Sequence, residues 1–207
     1  MFINLLFKDP HTFITIMFLV VFSVCCHEFM HALVALLLGD DTAANSGHLT
    51  LNPLKQMGWF SLLMMLFLGI AWGQVPINRT KLRSRRRRVL TALAGPLTNL
   101  VLWLVFIGLC LLTAFMSADH QFAVYMLAYG AMLNFVLFVF NLLPIPGLDG
   151  FNVLIELFPQ VFHRDSELVK GVFFLLVVLL FTSSGRLFDL AMNVTLRTLA
   201  ALQWWPA

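Results

Sequence analysis

Charge is scarce in this sequence. Of its 207 residues, 11% are charged and 60% are hydrophobic. Soluble domains run near half apolar and a quarter charged. A soluble fold of this length could not bury so much apolar surface and still cover itself with charge, so the chain belongs in a membrane. Cysteine is equally sparse. Cys25, Cys26 and Cys110 all lie within apolar runs, and an adjacent pair is not a zinc-ligand spacing. They read as small apolar packers. Linkers, low-complexity tracts and internal repeats are missing too, and the length fits about one domain.

The net charge of +3 is concentrated in one place: Arg79, Lys81, Arg83 and Arg85 to Arg88 directly precede an apolar run. That is the positive-inside pattern of a cytoplasmic loop, not a nucleic-acid surface. Anionic lipid headgroups are a second use for it.

A span takes about 20 apolar residues. Thr12–Leu38, Val89–Phe115 and Phe122–Leu143 qualify, and Leu168–Phe181 with its flanks is marginal. Trp59–Trp72 is short, as re-entrant segments are. The first span is too long for a signal-peptide core and carries the most informative residues, so it is not read as a cleaved leader. His48 to Asn52 alternates polar and apolar residues between Ser46-Gly47 and Pro53, the pattern of a short strand. The segment from Arg186 to Ala207 mixes charge with leucine at helical spacing and ends in Trp204-Trp205. It reads as an interfacial or marginal transmembrane helix. The expectation is an all-α polytopic membrane protein of about four to six transmembrane helices. A re-entrant segment and a membrane-edge β-hairpin accompany them, with residues 1–185 as the main domain.

Inside the first span, His27-Glu28-Phe29-Met30-His31 spells H-E-x-x-H. Residues four apart share one helix face, so both imidazoles can reach one metal ion, with Glu28 beside them to accept a proton from a water. Ionisable residues in a span cost a few kcal/mol each when charged and are usually functional. The plainer alternative is two neutral histidines and a protonated Glu28 hydrogen-bonded to a neighbouring helix.

A catalytic zinc commonly takes three protein ligands. Asp149, Glu156, His48 and His163 are the candidates for the third. Asp149 stands out because Pro144, Pro146 and Gly147 break the helix before it. In lipid, a broken backbone survives only where protein or water satisfies it. Capping the following helix is the structural alternative for Asp149. With the basic loop cytoplasmic, Asp149 falls toward the cytoplasmic half. His27 and His31 reach that depth if the N-terminus is outside and Trp59–Trp72 is re-entrant. Arg186 and Arg197 would then lie outside, a mild breach of the charge rule.

H-E-x-x-H in a first span, with Asn141-Leu-Leu-Pro-Ile-Pro-Gly-Leu-Asp149-Gly150 on a later one, resembles the site-2 protease family of intramembrane zinc metalloproteases. Leu51 to Lys55, Gly73 to Asn78 and Ala94 to Asn99 resemble its secondary motifs, in the family's order. Gln56-Met57-Gly58 and Gln74 depart from the family's usual residues, and no PDZ- or CBS-like appendage is visible. The resemblance implies one zinc ion held by His27, His31 and Asp149, Glu28 as general base, and Asn141 toward substrate. It also implies hydrolysis of peptide bonds within transmembrane substrates, in a multi-pass protein of a prokaryotic cytoplasmic membrane. The rival readings are a non-enzymatic metal binder or transporter and an inactive adaptor. Substrate and oligomeric state stay open.

Overall fold

The computed structural model describes residues 3–116, 121–160, 171 and 186–202. These residues form helices α1 Asn4–Lys8, α2 Pro10–Leu37, α3 Thr42–Asn45, α4 Pro53–Gln56, α5 Gly58–Leu68, α6 Arg85–Met116, α7 Gln121–Asn141 and α8 Asp149–Leu157, followed by α9 (186–201). Three of them, α2, α6 and α7, are long and apolar enough to cross a membrane. The marginal segment Leu168–Phe181 lies outside the described residues except for Gly171, and His163 and Trp204-Trp205 lie outside them too. At about 1.5 Å per residue, the 11 residues of α5 cover roughly half of a 30 Å hydrocarbon core. The helix is too short to span.

The chain divides into two compact units, one up to Thr98 and one from Asn99, with the boundary inside α6. In the first unit, α2 starts with Pro10 at its first position and Asp9 accepting from the Thr12 N–H. It stops at Gly39, whose φ of 102° reverses the chain. The Gly39 N–H donates to Leu36 and the Asp40 N–H to Ala35, closing a Schellman motif. Arg87 adds a guanidinium donor to the Leu38 carbonyl, a cation where the helix dipole favours one. One face of α2 buries Phe13, Ile16, Val20, Ser23, His27 and His31. The opposite face exposes Ile14, Phe18 and Phe22, one turn apart. Apolar residues all round suit a helix with protein on one side and lipid on the other.

The expected β-hairpin is not there, and no strand occurs among the described residues. The stretch from His48 to Asn52 is an irregular loop. The Gln56 side-chain amide donates to the carbonyls of both His48 and Thr50, while the His48 N–H donates to Ala43. Asn52 caps α4 through the Leu54 N–H. Local side-chain bonds of this kind compete with strand pairing and win here. Outside the apolar segments, Lys81 pairs with Asp41 at 2.6 Å. Its hydrogen bond holds the Asp41 carboxyl below the usual range.

In the second unit, α7 packs Met132 and Val136 against Ala191 of α9, and Trp103 of α6 donates to Thr195 of α9. Asn99 and Asn134 are both wholly buried. The Asn99 amide donates to Asn134 Oδ1 at 3.1 Å, and the Asn134 amide donates to the Gly130 carbonyl. Polar side chains join helices in this way within apolar surroundings. Asn99→Ala removes the donor and costs about 1–3 kcal/mol. A lower Tm in detergent is expected, and an unchanged Tm would mean that the pair adds nothing.

Candidate metal centre

Helix α2 brings His27, Glu28 and His31 together because they occupy one turn of its buried face, at 6%, 9% and 5% exposure. The two imidazole rings stand edge to face with centroids 4.7 Å apart, and their Nε2 atoms approach to 3.1 Å. His31 Nδ1 lies 2.7 Å from the Thr91 carbonyl of α6. A carbonyl only accepts, so Nδ1 carries a hydrogen and Nε2 is the nitrogen that faces His27. Fixing the tautomer through the far nitrogen is what metal-ligating histidines do.

Two glycines complete the surroundings. A Cβ built on Gly95 of α6 would stand 2.5 Å from His27 Cε1 and closer still to both Nε2 atoms. A Cβ on Gly73 would stand 2.6 Å from Glu28 Cδ and closer to its Cγ and Oε1. The backbone therefore approaches the imidazole tips as only glycine allows. Two imidazole nitrogens 3.1 Å apart, one ring held through its far nitrogen by a carbonyl, are a donor set that suits a zinc ion.

The remaining candidates occupy the following positions. His48 sits in the loop after α3, with its Nδ1 3.2 Å from Ser46 Oγ. Asp149, Asn141 and Glu156 belong to the second unit. Asn141 is the last residue of α7, and its Nδ2 donates to the Leu137 carbonyl at 2.9 Å. The chain then turns through Leu142–Leu148, with Gly147 at φ 100°, as Pro144 and Pro146 dictate. Asp149 is the first residue of α8 and Leu148 its cap, so Asp149 is not the capping residue. Its half-buried carboxylate lies where the helix dipole favours an anion. Gly150 packs so tightly on the Leu142 and Leu143 carbonyls that a Cβ would collide with them. Glu156 is buried on the same helix.

The Thr91 carbonyl and the two close glycines were not identifiable as site components from sequence. A main-chain oxygen has no residue signature. Gly73 and Gly95 stand in recognisable motifs, but their contacts do not.

A buried pair of imidazoles with a carboxylate beside them, on a helix long and apolar enough to cross a membrane, is an arrangement that suits a metalloprotease of the membrane. Comparison with known proteins agrees. The family model described as "Peptidase family M50" matches residues 112–183. Two bacterial relatives carry the name "Putative zinc metalloprotease". YwhC of Bacillus subtilis is 35% identical over 84% of this chain and 81% of its own length. Rip2 of Mycolicibacterium smegmatis is 36% identical over 77% of this chain and 64% of its own length. No solved structure matches. The chain belongs to peptidase family M50, the site-2 protease family, and is an integral membrane metalloprotease with zinc as its metal.

Alanine is the better helix former, so Gly95→Ala in α6 should cost nothing in propensity. Its methyl instead displaces the imidazole tips. Zinc affinity, read by competition with a chelator, is expected to fall about tenfold to a hundredfold. Unchanged affinity would show that zinc does not sit at the His27–His31 pair.

Proposed function

We propose that the protein hydrolyses peptide bonds within or near the transmembrane segments of other membrane proteins, as in regulated intramembrane proteolysis. His27, His31 and Asp149 each supply one ligand atom to the zinc, and Glu28 is the general base. The observation that carries this reading is the burial of His27, Glu28 and His31 on one turn of a spanning helix. Charged groups at that depth cost a few kcal/mol each unless they are paired or bind a metal, and such residues are functional as a rule. A protease meant for soluble substrates would gain nothing from that depth.

When bound, zinc supplies Lewis acidity, polarising the scissile carbonyl and acidifying water. His31, held through Nδ1 by the Thr91 carbonyl, presents Nε2 as the ligand atom. Glu28 takes the proton of the attacking water on a carboxylate oxygen. As the water oxygen bonds to the carbonyl carbon and the C–N bond breaks, Glu28 returns that proton to the departing amine. Asn141 binds substrate. One of its amide hydrogens is committed to Leu137, and it has a second N–H and Oδ1 to offer an unwound backbone. The loop from Arg79 to Arg88 is cytoplasmic by its charge, and the membrane is a prokaryotic cytoplasmic one, as the bacterial relatives support.

The test is cleavage of a co-reconstituted single-span protein at matched zinc content. Glu28→Gln is expected to lower the rate by about a hundredfold to ten-thousandfold. Stripping zinc with a chelator should abolish cleavage and adding it back restore it. Equal cleavage by wild type and Glu28→Gln would refute the role of Glu28. Cleavage confined to soluble loops of the test protein would refute the intramembrane substrate.

A further inference from the structure

The stretch between α5 and α6 passes the site as a tethered, non-helical segment. Ser61, 1% exposed, clasps Trp72 from both sides. Its hydroxyl donates to the Trp72 carbonyl at 2.6 Å and accepts from the Trp72 N–H at 3.0 Å. Two residues on, the Gln74 N–H donates to the Gln56 carbonyl at 2.9 Å. Further on, the Asn78 N–H donates to Asp40 Oδ2 at 2.6 Å. Asp40 is itself wholly buried. Its other oxygen accepts from the Thr42 backbone N–H and hydroxyl, and its own N–H closes the end of α2.

Gly73 lies between two of these tethers, so its backbone cannot retreat. Its Cα faces the Glu28 side chain with no room for a Cβ. Its φ is outside the left-handed region, so the position uses glycine for space rather than for backbone freedom.

We propose that the Trp72–Asn78 segment is a fixed stop that sets the conformation of Glu28, with Gly73 as the positioning residue. This deepens the proposed function and rests on Glu28 being the base. A carboxylate with several rotors, left unrestrained, would spend most of its time away from the reacting water. The tethered backbone narrows that choice. A methyl at residue 73 would meet the Glu28 side chain first, whereas one at residue 95 would meet the imidazoles first. Misplacing a catalytic group by about 1 Å can cost a hundredfold in rate.

Gly73→Ala is tested in the full-length protein in proteoliposomes, with a single-span test substrate. The expected result is kcat lowered about tenfold to a hundredfold, with KM within about twofold and zinc stoichiometry unchanged. A second readout isolates the contact. Gly73→Ala should lower the Tm of the wild type but not of Glu28→Ala, which lacks Cγ, Cδ and Oε1, the atoms the methyl would meet. Should Gly73→Ala alone fail to fold, the Gly73→Ala/Glu28→Ala pair is expected to fold. Wild-type kcat in Gly73→Ala, or an equal Tm loss in both backgrounds, would overturn the proposal. With Glu28→Gln inactive, such a result strikes the positioning role alone. An active Glu28→Gln would remove the base and this inference with it.

Discussion

Everything in the first unit answers to the cost of keeping two imidazoles and a carboxylate buried on an apolar helix. A charged side chain at mid-membrane costs about 3 kcal/mol on insertion scales and more on an isolated helix. The fold lowers that cost by bringing polar main chain to the site. The Thr91 carbonyl takes the His31 hydrogen, and backbone closes in at Gly73 and Gly95. Small residues let backbones approach closely in membranes. Here the two glycines face different groups, one the carboxylate and the other the two ring nitrogens. The donors are thereby held in place before any metal or substrate arrives, which is what electrostatic preorganisation requires.

The polar ends of the fold serve the same purpose from outside the apolar layer. The Schellman turn at Gly39, the buried Asp40 and the Arg87 donor to Leu38 fix the end of α2. Arginines at the start of α6 oppose the helix dipole, so the gain comes from their contacts and from topology. Arg87 and Arg88 each reach a backbone carbonyl within the first unit.

The long helices were legible because continuous apolar runs leave a chain in lipid little alternative. Thr12–Leu38 was expected and Pro10–Leu37 found, with Asp9 and Pro10 explaining the earlier start. The meeting of His27 and His31 was legible for a related reason, since residues four apart on a helix share a face. The strand expected at His48–Asn52 failed because alternation over five residues says nothing about a partner. Gln56, a few residues later, took the carbonyls that a neighbouring strand would have needed. The break after Asn141 was foreseen from Pro144 and Pro146. Asp149 begins α8 rather than capping it, and Gly150 beside it leaves no room for a Cβ against the Leu142 carbonyl. No composition or periodicity encodes a contact of that kind.

The central claim is a zinc ion held by nitrogen and oxygen within the membrane, and X-ray absorption at the zinc edge of the reconstituted protein tests it most directly. The account predicts two imidazole nitrogens with oxygen completing the shell, at about 2.0–2.2 Å, and no sulfur. Sulfur scattering at about 2.3 Å would contradict it, placing the metal on the cysteines Cys25, Cys26 or Cys110 instead.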